Sequence, residues 1–426
     1  MTKPYQKISK FTFINCFATT LAFSAFLAAT ITPVKAALED SPKNLVDEVW
    51  QIVNHEFVDR KFNQVDWANE RSLLLEKNYA NPQAAYSEIR KSLQSLGDPY
   101  TRFLNPEEFS ELTSQTSGEL SGIGVRLAID QTTKELTVVE PLVNSPADQA
   151  GIKKGDKILT INGKPTSLMS LEQSSAQIKG KVGTDIKLTI SREGEKAFAL
   201  TLTRAQIELP SVDYNLSKSG KTNVGYIKLD EFSSHAAEQM QKAIQDLHSK
   251  KVSGFVLDLR GNPGGLLFSS VEIARMWLKE GAIVSTVDRK GGNQKFSANG
   301  KSLTDLPLVI LIDRFSASAS EILAGALKEN DRATLVGTRT YGKGTVQSVH
   351  SLSDGSGVAV TIAQYFPPSG IDINTRGIQP DIKVDLTEEE QLNLSVNPSL
   401  WGTQADPQYA RAIQILQQAK SNDQSK

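Results

Sequence analysis

Apolar positions repeat at helix spacing through residues 41–112: Val46, Val49, Trp50 and Val53, then Leu73, Leu74, Leu75 and Tyr79, then Ile89, Leu93 and Leu96. Asn81-Pro82 and Gly97-Asp98-Pro99 punctuate the run, so residues 37–115 are predicted to form a helical region. From residue 116 the period becomes two. Residues 118–129 and 135–140 alternate like strands around the polar turn 130–134. A short helix over 145–152, a strand over 155–163, a helix over 168–178 and a closing strand over 185–191 complete a module, 116–205, of ordinary domain size. Beyond it, strands are predicted over 224–229 and 254–260 and helices over 234–249 and 268–278. Residues 306–312 form an apolar run without a polar position, and a helix over 321–328 follows. Such alternation predicts an α/β sheet covered by helices, here across 206–390, with residues 345–352 and 357–365 as a hairpin. The chain then turns acidic and Asn/Gln-rich, leaving 391–426 as a C-terminal extension with one helix over 407–420. The predicted fold class is multidomain α/β.

Composition changes this picture little. With 426 residues, 39% hydrophobic and 22% charged, the chain suits a globular protein of two or three domains, and a net charge of −1 argues against a nucleic-acid partner. The N-terminus says more. Lys3, Lys7 and Lys10 precede an apolar stretch over 11–31, and Val34 and Ala36 supply small residues for a cut after Ala36. This is the layout of a secretory signal peptide, residues 1–36, with an uncleaved anchor as the alternative. Either one predicts an exported protein in a periplasm or a thylakoid lumen, with peripheral membrane association among its implications. The single cysteine, Cys16, lies inside that segment, so no disulfide or thiol chemistry is expected of the mature chain.

The apolar run at 306–312 leads into Ser316, Ser318 and Ser320 and then a helix. N–H groups at a helix start are unpaired and point forward, which suits a nucleophile. It suits a helix cap equally, and Ser318 with Glu321 fits the capping-box pattern. None of the four histidines, His55, His235, His248 and His350, lies in a glycine-punctuated turn, and the Gly-x-Ser-x-Gly elbow is absent. A Ser-His-Asp triad is therefore disfavoured, with a His350-based esterase as its remaining form. Lysine is the other base that can activate serine, provided its surroundings lower its pKa. Lys343 stands between Gly342 and Gly344 beside a strand, where glycines let the backbone approach another element. The phosphate-loop pattern starting at Gly337 fails after that lysine, because Gly344 stands where Ser or Thr must bind magnesium. No metal-ligand spacing occurs and no cofactor is expected.

Two resemblances join these readings. The run Ser145-Pro146-Ala147, Ala150-Gly151-Ile152, Gly155-Asp156, Ile158 and Ile161-Asn162-Gly163 resembles a PDZ domain. Such domains add a peptide as an extra strand and hold its carboxylate in a backbone nest; the resemblance places that nest at Gly122, Ile123, Gly124 and Val125. Taken alone, two glycines there would more often mark a bulge or turn. The segments 96–103, 258–265, 316–321, 341–347 and 377–381 together resemble the carboxyl-terminal processing peptidases, also called tail-specific proteases. That resemblance implies a PDZ domain inserted in a serine–lysine protease core. It makes Ser318 the nucleophile, Lys343 the general base and Gln347 the residue that orients the lysine. The oxyanion donors it implies are the N–H groups of Ala319 and Gly264, with Gly265 as the alternative to Gly264. One departure is Lys179, where relatives often carry arginine before Gly180; lysine keeps the charge but loses the bidentate fork.

The implied function is an exported serine endopeptidase that binds unstructured C-terminal tails of protein substrates and cleaves near them. Maturation of a photosystem II reaction-centre precursor is one such task. The competing class is a PDZ-type tail-binding scaffold on an inactive core, which would have no need of Ser318, Lys343 and Gln347.

Overall fold

The computed structural model describes residues 41–219 and 222–424; the predicted leader lies outside them. No described helix is long and apolar enough to cross a membrane. Among the described residues, three α-helices come first: α1 (Pro42–Glu56), α2 (Trp67–Glu76) and α3 (Pro82–Ser95). Asp66 and Asn81 cap α2 and α3 with their side chains. The apolar stripe read from the sequence, including Val46, Val49, Val53, Ile89 and Leu93, packs against Leu352, Val358 and Val360 of the later hairpin. The helical region is thus sealed onto the rest of the core. The short strand β1 (Arg102–Leu104) strengthens that link by joining an antiparallel sheet, pairing Arg102 with Ala359.

Helix α4 (Pro106–Ser117) is fixed at its start by a capping box between Asn105 and Glu108 and ends at the left-handed Gly118. A Cβ at Gly118 would come within 2.7 Å of Ser233 Oγ, so the turn into the next module needs glycine. Strand β2 (Glu119–Gly122) enters that module, whose antiparallel sheet runs β3 (Val125–Ile129), β4 (Leu136–Pro141), β5 (Lys157–Ile161), β7 (Asp185–Ser191) and β8 (Phe198–Thr203). The two-residue β6 (Lys164–Pro165) pairs with β5. The helices α5 (Pro146–Gln149) and α6 (Leu171–Ile178) cover the module, and β3 is an edge strand beside α6. The chain leaves through β9 (Ala205–Glu208), which pairs antiparallel with β2. Both connections therefore meet in one two-stranded stalk, as an inserted domain requires.

The main sheet has the order β10 (Val212–Ser219), β11 (Thr222–Leu229), β12 (Phe255–Asp258), β15 (Leu308–Ile312), β16 (Thr334–Gly337) and β19 (Ile382–Lys383). It is parallel beyond the β10–β11 pair. Helices α7 (Ala236–Ser249), α8 (Leu267–Trp277) and α9 (Ala319–Glu329) share one core with Phe255, Leu257, Ile310 and Ile312. On the other face Val256, Val309, Leu311 and Val336 pack on Tyr409, Ala412, Ile413 and Leu416 of α11 (Pro407–Gln424). Burial on both faces is why residues 306–312 carry no polar alternation.

The second sheet orders β1, β18 (Gly357–Phe366), β13 (Ala282–Asp288) and β14 (Asn293–Ser297), with β17 (Thr345–Ser351) also on β18. Strands β8, β9, β10, β13, β14 and β16 and helix α10 (Glu388–Val396) were not anticipated, although Val212, Tyr214 and Leu216 of β10 alternate with Asp213, Asn215 and Ser217. Helix α10 gives the core one side chain, Leu394, while its other apolar residues, Leu392 and Val396, are exposed.

Candidate active site

Strand β15 ends at Ile312, and the loop that follows distributes its serines unequally. Ser316 and Ser320 are fully buried. The Ser316 hydroxyl donates to the Leu259 carbonyl at 2.8 Å, and that of Ser320 to the Asn262 carbonyl at 3.0 Å. Both are structural. Ser318 stands between them at the N-cap of α9 with φ 54° and ψ −112°, a conformation that costs an L-residue roughly 1–3 kcal/mol. Capping is carried mainly by backbone and carboxylate: Ser318 N–H donates to Glu321 Oε2 at 2.9 Å, and Glu321 N–H to the Ser318 carbonyl at 2.8 Å. The Ser318 hydroxyl is left to a cleft of about 320 Å³ that it lines with Lys343, Gln347, Gly264, Gly265 and Ala319. Of the three serines, Ser318 alone lines the open cleft.

Lys343 reaches this cleft from the loop between β16 and β17. Gly342 and Gly344 let that loop pass close to residues 372–377; a Cβ at Gly342, whose φ is +92°, would lie 2.9 Å from Gly377 N. Burial, then the Arg102 charge, pushes the Lys343 ammonium down to about 8, with Asp98 and Glu321 acting the other way. A lysine so placed carries a useful fraction of free amine at mildly alkaline pH. Its Nζ lies 4.8 Å from the Tyr100 ring centroid. Gln347 lines the same cleft from β17, but its amide nitrogen donates to Thr345 Oγ1 at 2.9 Å and Thr361 Oγ1 at 3.3 Å. In this arrangement it makes no hydrogen bond to Lys343.

The turn after β12 lies against Ser318 and lines the same cleft. Ala319 N–H stands at the first position of α9, where no intrahelical acceptor exists. Gly264, at φ +107°, packs so closely that a Cβ would lie 2.8 Å from Ser318 Cβ and 3.0 Å from Ala319 N. Its own N–H is occupied by Asn262 Oδ1 at 2.8 Å. The Gly265 N–H has no acceptor among the described residues, and Gly265 is exposed in the turn.

The residue that ties these parts together went unrecognised in the sequence beyond its capping role. Glu321 is fully buried and accepts four bonds: Ser318 N–H (2.9 Å), Lys343 N–H (2.9 Å), Gly342 N–H (2.7 Å) and Thr340 Oγ1 (2.6 Å). Burial raises its pKa against those four donors. One carboxylate thereby fixes the backbone of the serine and the lysine relative to each other. Its place three residues after Ser318 was visible, but the second set of partners comes from a loop distant in sequence. No histidine lines the cleft: His350 pairs with Glu56 at 2.7 Å and His235 with Glu119 at 3.0 Å. Among the described residues no group of acidic, histidine or cysteine side chains could hold a metal ion.

In the inserted module, the segment 122–125 leads into edge strand β3. Gly124 has φ +75°, and a Cβ there would fall 2.2 Å from Ser145 Cβ, so only glycine fits. The Ile123 and Gly124 carbonyls accept from Ala147 N–H and Leu142 N–H, both at 2.9 Å. Lys179 caps α6 on the surface. The buried guanidinium at that helix end belongs to Arg204, which donates to the Ile178 and Gln177 carbonyls at 2.8 and 2.9 Å.

A model of peptidase family S41 matches residues 223–384, and one of the PDZ domain matches residues 111–191. A carboxyl-terminal-processing protease of Synechocystis sp. is 41% identical over 93% of this chain and 92% of its own length. The chloroplastic carboxyl-terminal-processing peptidase 2 of Arabidopsis thaliana is 37% identical over 82% of this chain and 72% of its own. A solved structure titled photosystem II D1 C-terminal processing protease shares 36% identity and a TM-score of 0.53, covering 87% of this chain and 99% of that one. The chain belongs to the carboxyl-terminal processing proteases of peptidase family S41: it is a serine-type peptidase with a PDZ domain.

Proposed function

We propose that Ser318 and Lys343 form the catalytic dyad of an exported endopeptidase that recognises unstructured C-terminal tails. The neutral Lys343 amine takes the Ser318 proton as the hydroxyl attacks the scissile carbonyl, and returns it to the leaving amine. Ala319 N–H and a glycine N–H of the 262–265 turn hold the oxyanion, and Gln347 orients the lysine once substrate closes the site. The observation that carries this reading is the strained Ser318, with its spare hydroxyl, sharing one cleft with a lysine whose pKa is pushed down to about 8.

Tail recognition rests on β3, an edge strand open to a further strand, with the 122–125 turn at its start as the carboxylate nest. For the substrate, the proposal is the C-terminal extension of the photosystem II reaction-centre precursor, supported by the name of the 36%-identical structure and by cyanobacterial and chloroplastic relatives. Export is supported by the charged–apolar–small pattern of residues 1–36.

The test is cleavage of that precursor, and of an unrelated unfolded protein bearing its tail, by wild type, Ser318→Ala and Lys343→Ala. Loss of cleavage in both variants with tail binding retained is expected. Cleavage by Ser318→Ala would remove the nucleophile assignment, and equal cleavage of a tailless protein would remove the tail reading.

A further inference from the structure

The head group of Lys343 has a neighbour that the dyad itself does not use. Tyr100 lies in the turn between α3 and β1, and Asp98 holds that turn. Its carboxylate accepts from Tyr100 N–H at 3.1 Å, Thr101 N–H at 3.1 Å and Thr101 Oγ1 at 2.6 Å. Pairing of Arg102 with Ala359 then locks β1 to β18, and Thr101 Oγ1 accepts from Thr361 N–H at 3.0 Å. Thr361 Oγ1 in turn receives the Gln347 amide. The N-terminal helical region thus delivers two groups beside the base: an aromatic face from Tyr100 and a guanidinium from Arg102, which lines the cleft.

An aromatic face attracts an ammonium and has little hold on a neutral amine. Resting on the Ser318–Lys343 reading, we propose that Tyr100 is a positioning residue for the general base, its ring holding the Lys343 ammonium during the interval in which that lysine carries the serine proton. The proton leaves Ser318 Oγ for Lys343 Nζ as the Oγ–C bond forms. It then passes from Nζ to the amide nitrogen as the C–N bond breaks, leaving the acyl group on Ser318 Oγ; a water that gives its proton to Lys343 Nζ then hydrolyses the ester, and the proton returns to Ser318 Oγ. The ring stabilises the charged state on this path, and Arg102 opposes it.

Asp98 in the same turn and Glu321 on α9 both favour the Lys343 ammonium, and Glu231, its pKa raised by burial, lines the same cleft. Tyr341 faces the Tyr100 phenol, which burial first and Tyr341 second push up to about 12. The ring is therefore neutral wherever Lys343 titrates.

The experiment is the pH profile of kcat and kcat/KM for the full chain on a tailed peptide. It compares Tyr100→Phe, Tyr100→Leu, Arg102→Gln and a series with phenylalanine carrying one, two or three ring fluorines at position 100. Fluorination drains the ring face without changing its shape, so the series reads the interaction in a folded protein even if Tyr100→Leu does not fold. Tyr100→Phe should stay within about twofold of wild type, and plateau kcat should fall stepwise with fluorination, reaching roughly five- to thirtyfold when the face is lost. The acid limb should move to lower pH along that series and to higher pH in Arg102→Gln. A flat fluorine series, or an acid limb that moves the same way in both sets, overturns the proposal. Lys343→Ala separates the two readings: activity in that variant sinks the dyad, whereas an inactive Lys343→Ala beside a flat fluorine series sinks only the role of Tyr100.

Discussion

Glu321 and the Asp258–Arg260–Asp406 cluster are both fully buried, and both sit at the roots of loops that build the cleft. They are satisfied in opposite ways. Arg260 donates to Asp258 (2.5 Å), to both oxygens of Asp406 (3.0 and 2.6 Å) and to Gln408 (2.9 Å), with the Trp401 ring 4.4 Å away. That cluster carries its own counter-charges and fastens the chain before α11 to the end of β12. Glu321 has no cation against it; backbone N–H groups and one hydroxyl solvate its charge. A paired cluster holds a framework, whereas an unpaired carboxylate leaves its field free to act on a neighbour. The neighbour here is Lys343, whose backbone it also fixes.

The largest effects should come from the groups both clusters serve. Ser318→Ala and Lys343→Ala are expected to lose about 10³-fold or more in kcat with unchanged melting, measured by peptide hydrolysis and thermal unfolding. A large drop in stability in either would move it from the chemistry to the framework.

Breaking the Arg260 cluster should show the reverse. Arg260→Ala leaves two buried carboxylates, Asp258 and Asp406, without their cation and should cost about 3–5 kcal/mol, read as a lower urea midpoint. The folded fraction should keep its pH profile. A changed profile at unchanged stability would erase the distinction between the two sites.

Glu321→Gln sharpens the contrast. Wild-type kcat/KM should rise through an acid limb near pH 8, where Lys343 loses its proton. Removing the Glu321 charge disfavours the ammonium, so the limb should move to lower pH while plateau kcat falls through lost alignment. An unmoved limb would reduce Glu321 to a structural tie like Asp406.

The smallest effect belongs to the inserted module. Gly124→Ala brings a Cβ within 2.2 Å of Ser145 Cβ at a positive φ. It should raise KM for tailed substrates severalfold and leave kcat on short tailless peptides unchanged, through distortion of the turn before β3. Equal loss on both substrates would mean the turn acts on the core and not on tail binding.

The division between sequence and structure follows the range of the forces involved. Period and punctuation are local, so the α1–α3 stripe, the alternating strands of the inserted module and the two-sided burial of β15 were legible in the residues. The serine cluster and the glycine-bracketed lysine were legible too, because their chemistry demands particular residue types at short spacing. The resemblance singled out Ser318, but the physical reason it is spare was not legible: the Ser316 and Ser320 hydroxyls are spent on carbonyls 57 and 58 residues away. Helix α10, with Leu394 as its one buried residue, offered no helical stripe, whereas edge strand β10 alternates over 212–217 and was passed over. The double duty of Glu321, the Tyr100 face beside Lys343 and the engagement of Gly264 N–H with Asn262 are contacts between loops. Only close packing of the sheet brings those loops together, and such contacts leave no pattern along the chain. The sequence by itself determined the elements and the reactive residue types. The tertiary structure decided which hydroxyl, amine and N–H groups remain free to react, because burial and hydrogen bonding in the folded core had taken the others.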